Sequence, residues 1–168
     1  TSKLVPGMAL LYIVTALVVI LINWEKIPEA FSAIWLGAFA PEGISGGIIG
    51  VMIIGFRRAV FSNEAGLGSA AIAHSTARTK EPISEGFVGL LEPFIDTVVI
   101  CTLTALVIIT TVYEPSLAGQ NVAGIELTTR AFASTLSWSP VPLSIAAVLF
   151  VFSTIIAWSY YGLKAFTY

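Results

Sequence analysis

Charge is what this sequence has least of. Lysine, arginine, aspartate and glutamate make up 11% of its 168 residues, with 8 basic and 10 acidic side chains and a formal net charge of −2. A soluble domain carries about 25% charged residues. So few charges cannot coat a water-facing surface, and a net charge near zero offers no pull toward nucleic acid. There is one cysteine, Cys101, which excludes a disulfide within the chain. It lies in an apolar run and reads as a small buried residue. No signal-peptide pattern opens the chain. The first residue is Thr1 and the last, Tyr168, closely follows AWSYYGLKAF. We therefore expect a piece of a longer protein, without a separate soluble domain.

What the chain has instead is apolar sequence. Hydrophobic residues make up 57% and the mean hydropathy is +0.92. The surplus apolar surface faces lipid, so the expected fold class is all-α integral membrane. A helical span needs about 20 apolar residues. Leu4 to Ile22 meets that length with no charge, and Asn23-Trp24-Glu25-Lys26 ends it, with Trp24 at the interface. Ile27 to Ala40 is shorter, with Pro28 and Glu29 at a helix start, and reads as a surface or re-entrant helix. Gly86 to Val112 is a span carrying Glu92 and Asp96. Gly124 to Leu136 suits a short amphipathic helix, and Val141 to Phe166 is the last span.

The remaining span, Gly46 to Ala77, is unusual. It holds Gly46, Gly47, Gly50 and Gly55, then Arg57 and Arg58, then FSNEAGLGSA from Phe61 to Ala70. Glycine and charge at this density predict a helix interrupted between Phe61 and Gly68. Broken backbone at membrane depth is tolerated where it is buried in protein or lines a cavity. A half-helix ending near Phe61 offers carbonyls to a cation, and one starting near Ser69 offers N–H groups to a carboxylate. Ser62, Asn63, Glu64 and Ser69 supply polar atoms, and Gly66 and Gly68 free the backbone. This is the pattern of carriers that bind a zwitterion with a coupling ion. The plainer reading is a cytoplasmic loop between two ordinary spans.

Four spans put Lys3, Arg78, Lys80 and Lys164 on one side of the membrane, against Lys26 and Arg130 on the other. The positive-inside rule makes the first side cytoplasmic. Arg57 and Arg58 each cost about 2.5–3.5 kcal/mol at membrane depth. They either line an aqueous vestibule or form a charge network with Glu64, Glu92 or Asp96. Glu92 and Asp96 stand four apart on one helix face, suited to packing against the arginines or to a proton relay. His74 reads as a satisfied interfacial histidine rather than a ligand or sensor. Ser153 and Thr154 lie mid-span, where their hydroxyls either ligate sodium or bond back to their own helix.

GFRRAVFSNEAGLGSAAIAHSTARTKEP and FIDTVVICTLTALVIITT together resemble the alanine/glycine:cation symporter family. VFSTIIAWSYYGLKAF resembles the family's motif in which a threonine precedes a tryptophan by four residues and YYGE follows. Leu163 departs from that motif at the glutamate. The resemblance implies a leucine-transporter-type fold of two inverted five-helix repeats. The four spans would be core helices five to eight, the broken one helix six, and the first core helix would precede Thr1. It implies that Phe61, Thr154 and Trp158 line an amino-acid pocket, with Ser62, Asn63, Gly66, Gly68 and Ser69 contributing. Without it, Trp158 is an interfacial anchor.

The expected activity is symport of alanine or glycine into the cell across the plasma or inner membrane. Na+ is the coupling ion, or H+ in its place, and no organic cofactor is expected. The expected partners are the substrate, the bilayer and the remainder of the polypeptide. Two other classes compete. An intramembrane hydrolase would use Ser62 or Ser69 with His74 and Asp96, but neither a nucleophile elbow nor an HExxH spacing is present. A non-transporting scaffold leaves the cost of the broken, charged helix without a purpose.

Overall fold

The computed structural model describes residues 4–39, 52–53, 55–57, 59–60, 64, 67–113 and 124–167. Helix α1 spans Leu4–Ile22 and is followed by a 3-10 turn, Trp24–Lys26, and by α2, Ile27–Phe39. Residues 52–53, 55–57 and 59–60 are helical. Helix α3 is short, Ser69–His74. Helix α4 runs from Pro82 to Thr111, α5 from Gly124 to Thr135, and α6 from Pro140 to Thr167. The described residues include no strand.

Three of these helices are long and apolar enough to cross a membrane: α1 over Val5–Ile22, α4 and α6. The fourth expected span, Gly46 to Ala77, lies largely outside the described residues. Many of the large apolar side chains of the three helices are exposed. Leu10, Leu17 and Leu21 on α1 and Phe150, Val151 and Phe152 on α6 are exposed, and α6 carries no buried residue. That is the distribution expected of helices whose solvent is hydrocarbon. Trp24 is also exposed, just past the end of α1.

Helix α4 departs from the sequence pattern in its middle. Phe94–Ile100 winds as a π-helix directly after Pro93. Proline has no N–H to close onto the carbonyl four residues back, so the regular ladder fails there. The wider winding resumes bonding without leaving the helix. Asp96 sits in this wide segment, so its four-residue spacing from Glu92 no longer means a shared α-helical face. Cys101 begins the regular helix that follows and is exposed, not buried. In a span surrounded by lipid, an outward thiol needs no core.

The chain forms two compact units, Thr1–Ser32 with Ile100–Ile156, and Ala33–Val99 with Ala157–Tyr168. In the first, α1, α5 and the C-terminal half of α4 meet around Ala16, Val19, Ile20, Leu106, Val107, Ala131 and Phe132. Phe132 is fully buried, and its ring tilts 50° from that of Tyr12 at 5.7 Å between centroids. Small residues on α1 and α5 let the helices approach, with packing rather than water release holding them. The Tyr12 hydroxyl bonds Thr104 Oγ1. Thr104 spends its own proton on the Ile100 carbonyl at 2.7 Å, so Tyr12 is the donor of the pair. At the end of α1, Asn23 Nδ2 donates to the Val19 carbonyl at 2.9 Å and to Thr135 Oγ1 at 3.2 Å, tying α1 to the end of α5. In the second unit, α3 packs against the start of α4.

Two substitutions rank these contacts. Phe132→Ala empties a filled site and should cost about 3 kcal/mol, near the low end for Phe→Ala in a packed core. Tyr12→Phe removes one hydroxyl and should cost about 0.6 kcal/mol, the usual scale for a hydrogen bond between membrane helices. Unfolding curves of the full-length protein in detergent check the order; a larger loss for Tyr12→Phe would contradict it.

Candidate functional site

The sequence points to residues 61–69. Phe61, Ser62, Asn63 and Gly66 lie outside the described residues, as does Arg58. Those that are described leave the helix. Glu64 has φ +50°, and Gly68 has φ +77°. The Leu67 N–H donates to the Glu64 carbonyl at 3.2 Å, closing a turn. Helix resumes at Ser69, with Gly68 as the left-handed residue before it. At Gly68 the absent Cβ makes that conformation cheap. At Glu64 it does not, and a non-glycine residue held there costs about 1–3 kcal/mol. Helical residues at 52–53, 55–57, 59–60 and 69–74 thus flank a stretch whose described members are non-helical and, at Glu64, strained.

Ser69 is buried, and its Oγ has no hydrogen-bond partner among the described residues. An unsatisfied buried hydroxyl costs about 1–3 kcal/mol. A serine opening a helix after two glycines in three residues is readable from sequence. The partner of its hydroxyl is not, because satisfaction depends on neighbours brought from elsewhere.

The last span places the other candidates. Thr154 Oγ1 donates to the Phe150 carbonyl at 2.9 Å, and Ser153 Oγ donates to the same carbonyl at 3.1 Å. This is the back-bonded arrangement. It fixes both protons on the helix and leaves both oxygens' lone pairs directed away from that bond, available to a cation. Trp158 stands one turn beyond Thr154 on α6. Its ring meets Tyr161 edge-on at 6.1 Å, and Tyr161 meets Tyr160 at 6.4 Å. Lys164 Nζ lies 5.8 Å from the Tyr160 ring centre, so the aromatic cluster ends in a cation.

Of the charge network the sequence suggested, Arg58 lies outside the described residues. Arg57 is exposed, and among the described residues it forms no ion pair with Glu64 or Glu92. Glu92 faces His74 instead, 3.7 Å from Nε2, while His74 Nδ1 lies 2.6 Å from Glu85 Oε1. Arg130 pairs within α5, with Glu126 at 2.6 Å. The histidine–glutamate contact escaped the sequence reading because it joins two helices across a turn. The only signal was the i, i+7 repeat of Glu85 and Glu92.

Comparison with known proteins gives this geometry a context. The whole chain, residues 1–168, matches the model of the sodium:alanine symporter family. It is 40% identical over 177 residues to an uncharacterised transporter of Haemophilus influenzae, covering all of this chain and 38% of that protein. It is 38% identical over 169 residues to the sodium/alanine symporter AgcS of Methanococcus maripaludis, covering all of this chain and 37% of AgcS. To the probable sodium/glutamine symporter GlnT of Bacillus subtilis it is 37% identical over 163 residues, covering 96% of this chain and 34% of GlnT. The chain thus spans little more than a third of the length of these relatives. With the match running from its first residue to its last, the chain belongs to the sodium:alanine symporter family.

Proposed function

We propose that the intact protein is a secondary transporter that uses a sodium gradient to bring a small neutral amino acid into the cell. The observation that carries this is the stretch from Glu64 to Ser69. Positive φ at Glu64 and Gly68, with a buried Ser69 hydroxyl that has no partner among the described residues, supports a ligand-binding break rather than a connecting loop. A cytoplasmic loop has no need of a strained, half-buried glutamate. The family's name and the sodium/alanine title of AgcS support sodium and alanine as the pair. A relative titled as a sodium/glutamine symporter makes pocket size the discriminating property.

In this reading the four spans are core helices five to eight of a leucine-transporter-type inverted repeat, and the remainder of the polypeptide completes the site. Lys3, Arg78, Lys80 and Lys164 face the cytoplasm. Ser62, Asn63, Gly66, Gly68 and Ser69 present backbone and hydroxyl groups to the substrate's charged ends, as half-helix termini do. Phe61 and Trp158 wall the apolar side of the pocket and hold it to small side chains. Thr154, with Ser153, offers oxygen to sodium, and its back-bond to Phe150 keeps that oxygen in place.

Thr154 and Trp158 should then fail differently in the full-length protein in proteoliposomes. Thr154→Val keeps the shape and removes the oxygen. Losing one hydrogen-bond-like contact to a charge, about 1.5 kcal/mol, should raise the half-saturating sodium roughly tenfold. The preference for alanine over leucine should stay near parental. Trp158→Ala removes a wall, and that preference should fall about tenfold or more, since each excluded methylene is worth about 1–3 kcal/mol. Parental sodium dependence and selectivity in both variants would remove these residues from the site. Residues 1–168 expressed alone should accumulate no alanine, because both repeats are needed to enclose the site. Sodium-driven uptake by that segment would contradict the two-repeat reading.

A further inference from the structure

Helix α6 has 28 residues, about 42 Å at 1.5 Å per residue. The hydrocarbon core is about 30 Å thick, so the last turn of α6 reaches headgroup level. Lys164 is the basic residue of that turn. Tyr160 and Tyr161 stand just before it, where an aromatic belt belongs, and the Lys164 ammonium lies 5.8 Å from the Tyr160 ring centre. In the same compact unit, Lys164 and Ala165 border a shallow depression with Ala71, Ile72 and Ser75 of the α3 segment. Ser75 Oγ donates to the Ile72 carbonyl at 2.7 Å, and Thr76 Oγ1 to the Ala73 carbonyl at 2.8 Å. Each hydroxyl has thus spent its one proton, and the side-chain donor left at the depression is the Lys164 ammonium. Arg78 and Lys80, both exposed, follow Ser75 within five residues of chain, at most about 18 Å. Among the described residues, none of these three cations forms an ion pair. The acids next in the chain are Glu81, which is exposed, and Glu85, which is bonded to His74. Glu64 and Glu92 lie within electrostatic reach of Tyr161 and pair with none of the three cations.

We propose that this depression is a docking site for an anionic phospholipid. Lys164 holds the phosphate, and the glycerol and first acyl carbons rest on Ala71, Ile72 and Ala165. Charge complementarity argues for the anion, since three cations gather at this end against the exposed Glu81. The apolar floor argues for a lipid. A free phosphate has nothing to lay on two alanines and an isoleucine, whereas a phospholipid carries methylenes beside its phosphate, at the depth where α6 ends. Basic pockets between membrane helices bind headgroups in this way. Lysine suits the task because its ammonium is a point charge with three rotatable donors and asks for no fixed geometry. A zwitterionic headgroup brings an ammonium of its own toward the same cations and is held less well. Because α3 and α6 both line the depression, a seated lipid bridges them. The inference goes beyond the transport reading and does not rest on it; it needs only that α6 spans the bilayer.

Native mass spectrometry of the full-length protein, released from detergent with added lipid, counts the lipid that stays bound. Phosphatidylglycerol should be retained in preference to phosphatidylcholine, and excess inorganic phosphate should not displace it. Lys164→Gln should weaken phosphatidylglycerol binding about fivefold, the scale of one cation near a membrane surface, and Lys164→Arg should restore it. Arg78→Gln with Lys80→Gln changes two exposed residues outside the helices and should weaken binding several-fold, so it decides the matter if Lys164→Gln does not fold. Lys26→Gln, in the turn after α1 and in the other unit, should leave binding at the parental level. Equal retention of the two lipids by the parent would overturn the site, the rest of the polypeptide then being what covers the depression. Parental binding in the Lys164→Gln and Arg78→Gln/Lys80→Gln variants would overturn it as well. So would an equal loss in Lys26→Gln, which means diffuse attraction, or displacement by inorganic phosphate, which means a free-anion site.

Discussion

A polar group in hydrocarbon has no water to turn to, and that constraint shows in many of the described threonines. Thr15 donates to Leu11, Thr104 to Ile100, Thr110 to Leu106 and Thr154 to Phe150, each at 2.7–2.9 Å to the carbonyl one turn back. Such bonds stabilise little, but they avoid the several kcal/mol that an unsatisfied group costs in lipid. Against that background the exceptions are informative. Tyr12 donates between helices, His74 bonds across a turn, and Ser69 has no partner among the described residues. Interhelical and unpaired groups are where the chain departs from self-sufficient helices, and two of the three lie next to the stretch proposed to bind ligand.

That stretch is held from one side by a short helix. Six residues, Ser69–His74, cannot sustain a helix by themselves. Their geometry depends on docking against α4, with the notch at Gly89 and the Glu85 carboxylate as the specific contacts. The left-handed Gly68 then passes that placement to Glu64 through the turn closed at Leu67. The position of the candidate site is thereby tied to one hydrogen bond and one missing Cβ.

Helices with unbroken apolar runs were legible in the sequence. Leu4–Ile22 agrees at both ends, and the last span and the amphipathic helix at Gly124 agree within a residue or so, because run length alone decides such elements. The start of α4 lies four residues earlier than the apolar pattern, at Pro82, because a proline at N1 begins a helix whatever the hydropathy that follows. The π-helical winding was not legible: Pro93 warns of a fault, but the form of the repair depends on packing. Cys101 was misjudged because an apolar neighbourhood in a lipid-facing helix means exposure, not burial. The non-helical backbone at Glu64 and Gly68 agrees with the glycine and charge density there, while most of the expected break lies outside the described residues. The contact of Glu92 with His74 was not legible, since it crosses a turn that spacing cannot predict.

The central claim, as proposed above, is that the intact protein binds sodium and amino acid together, and linkage gives it a direct measurement. Alanine binding to the purified full-length protein can be titrated at increasing sodium, and sodium binding at increasing alanine. The account predicts that each ligand tightens the other by the same factor, as two ligands sharing one binding-competent state must. Alanine binding that is equally tight when potassium replaces sodium would contradict it.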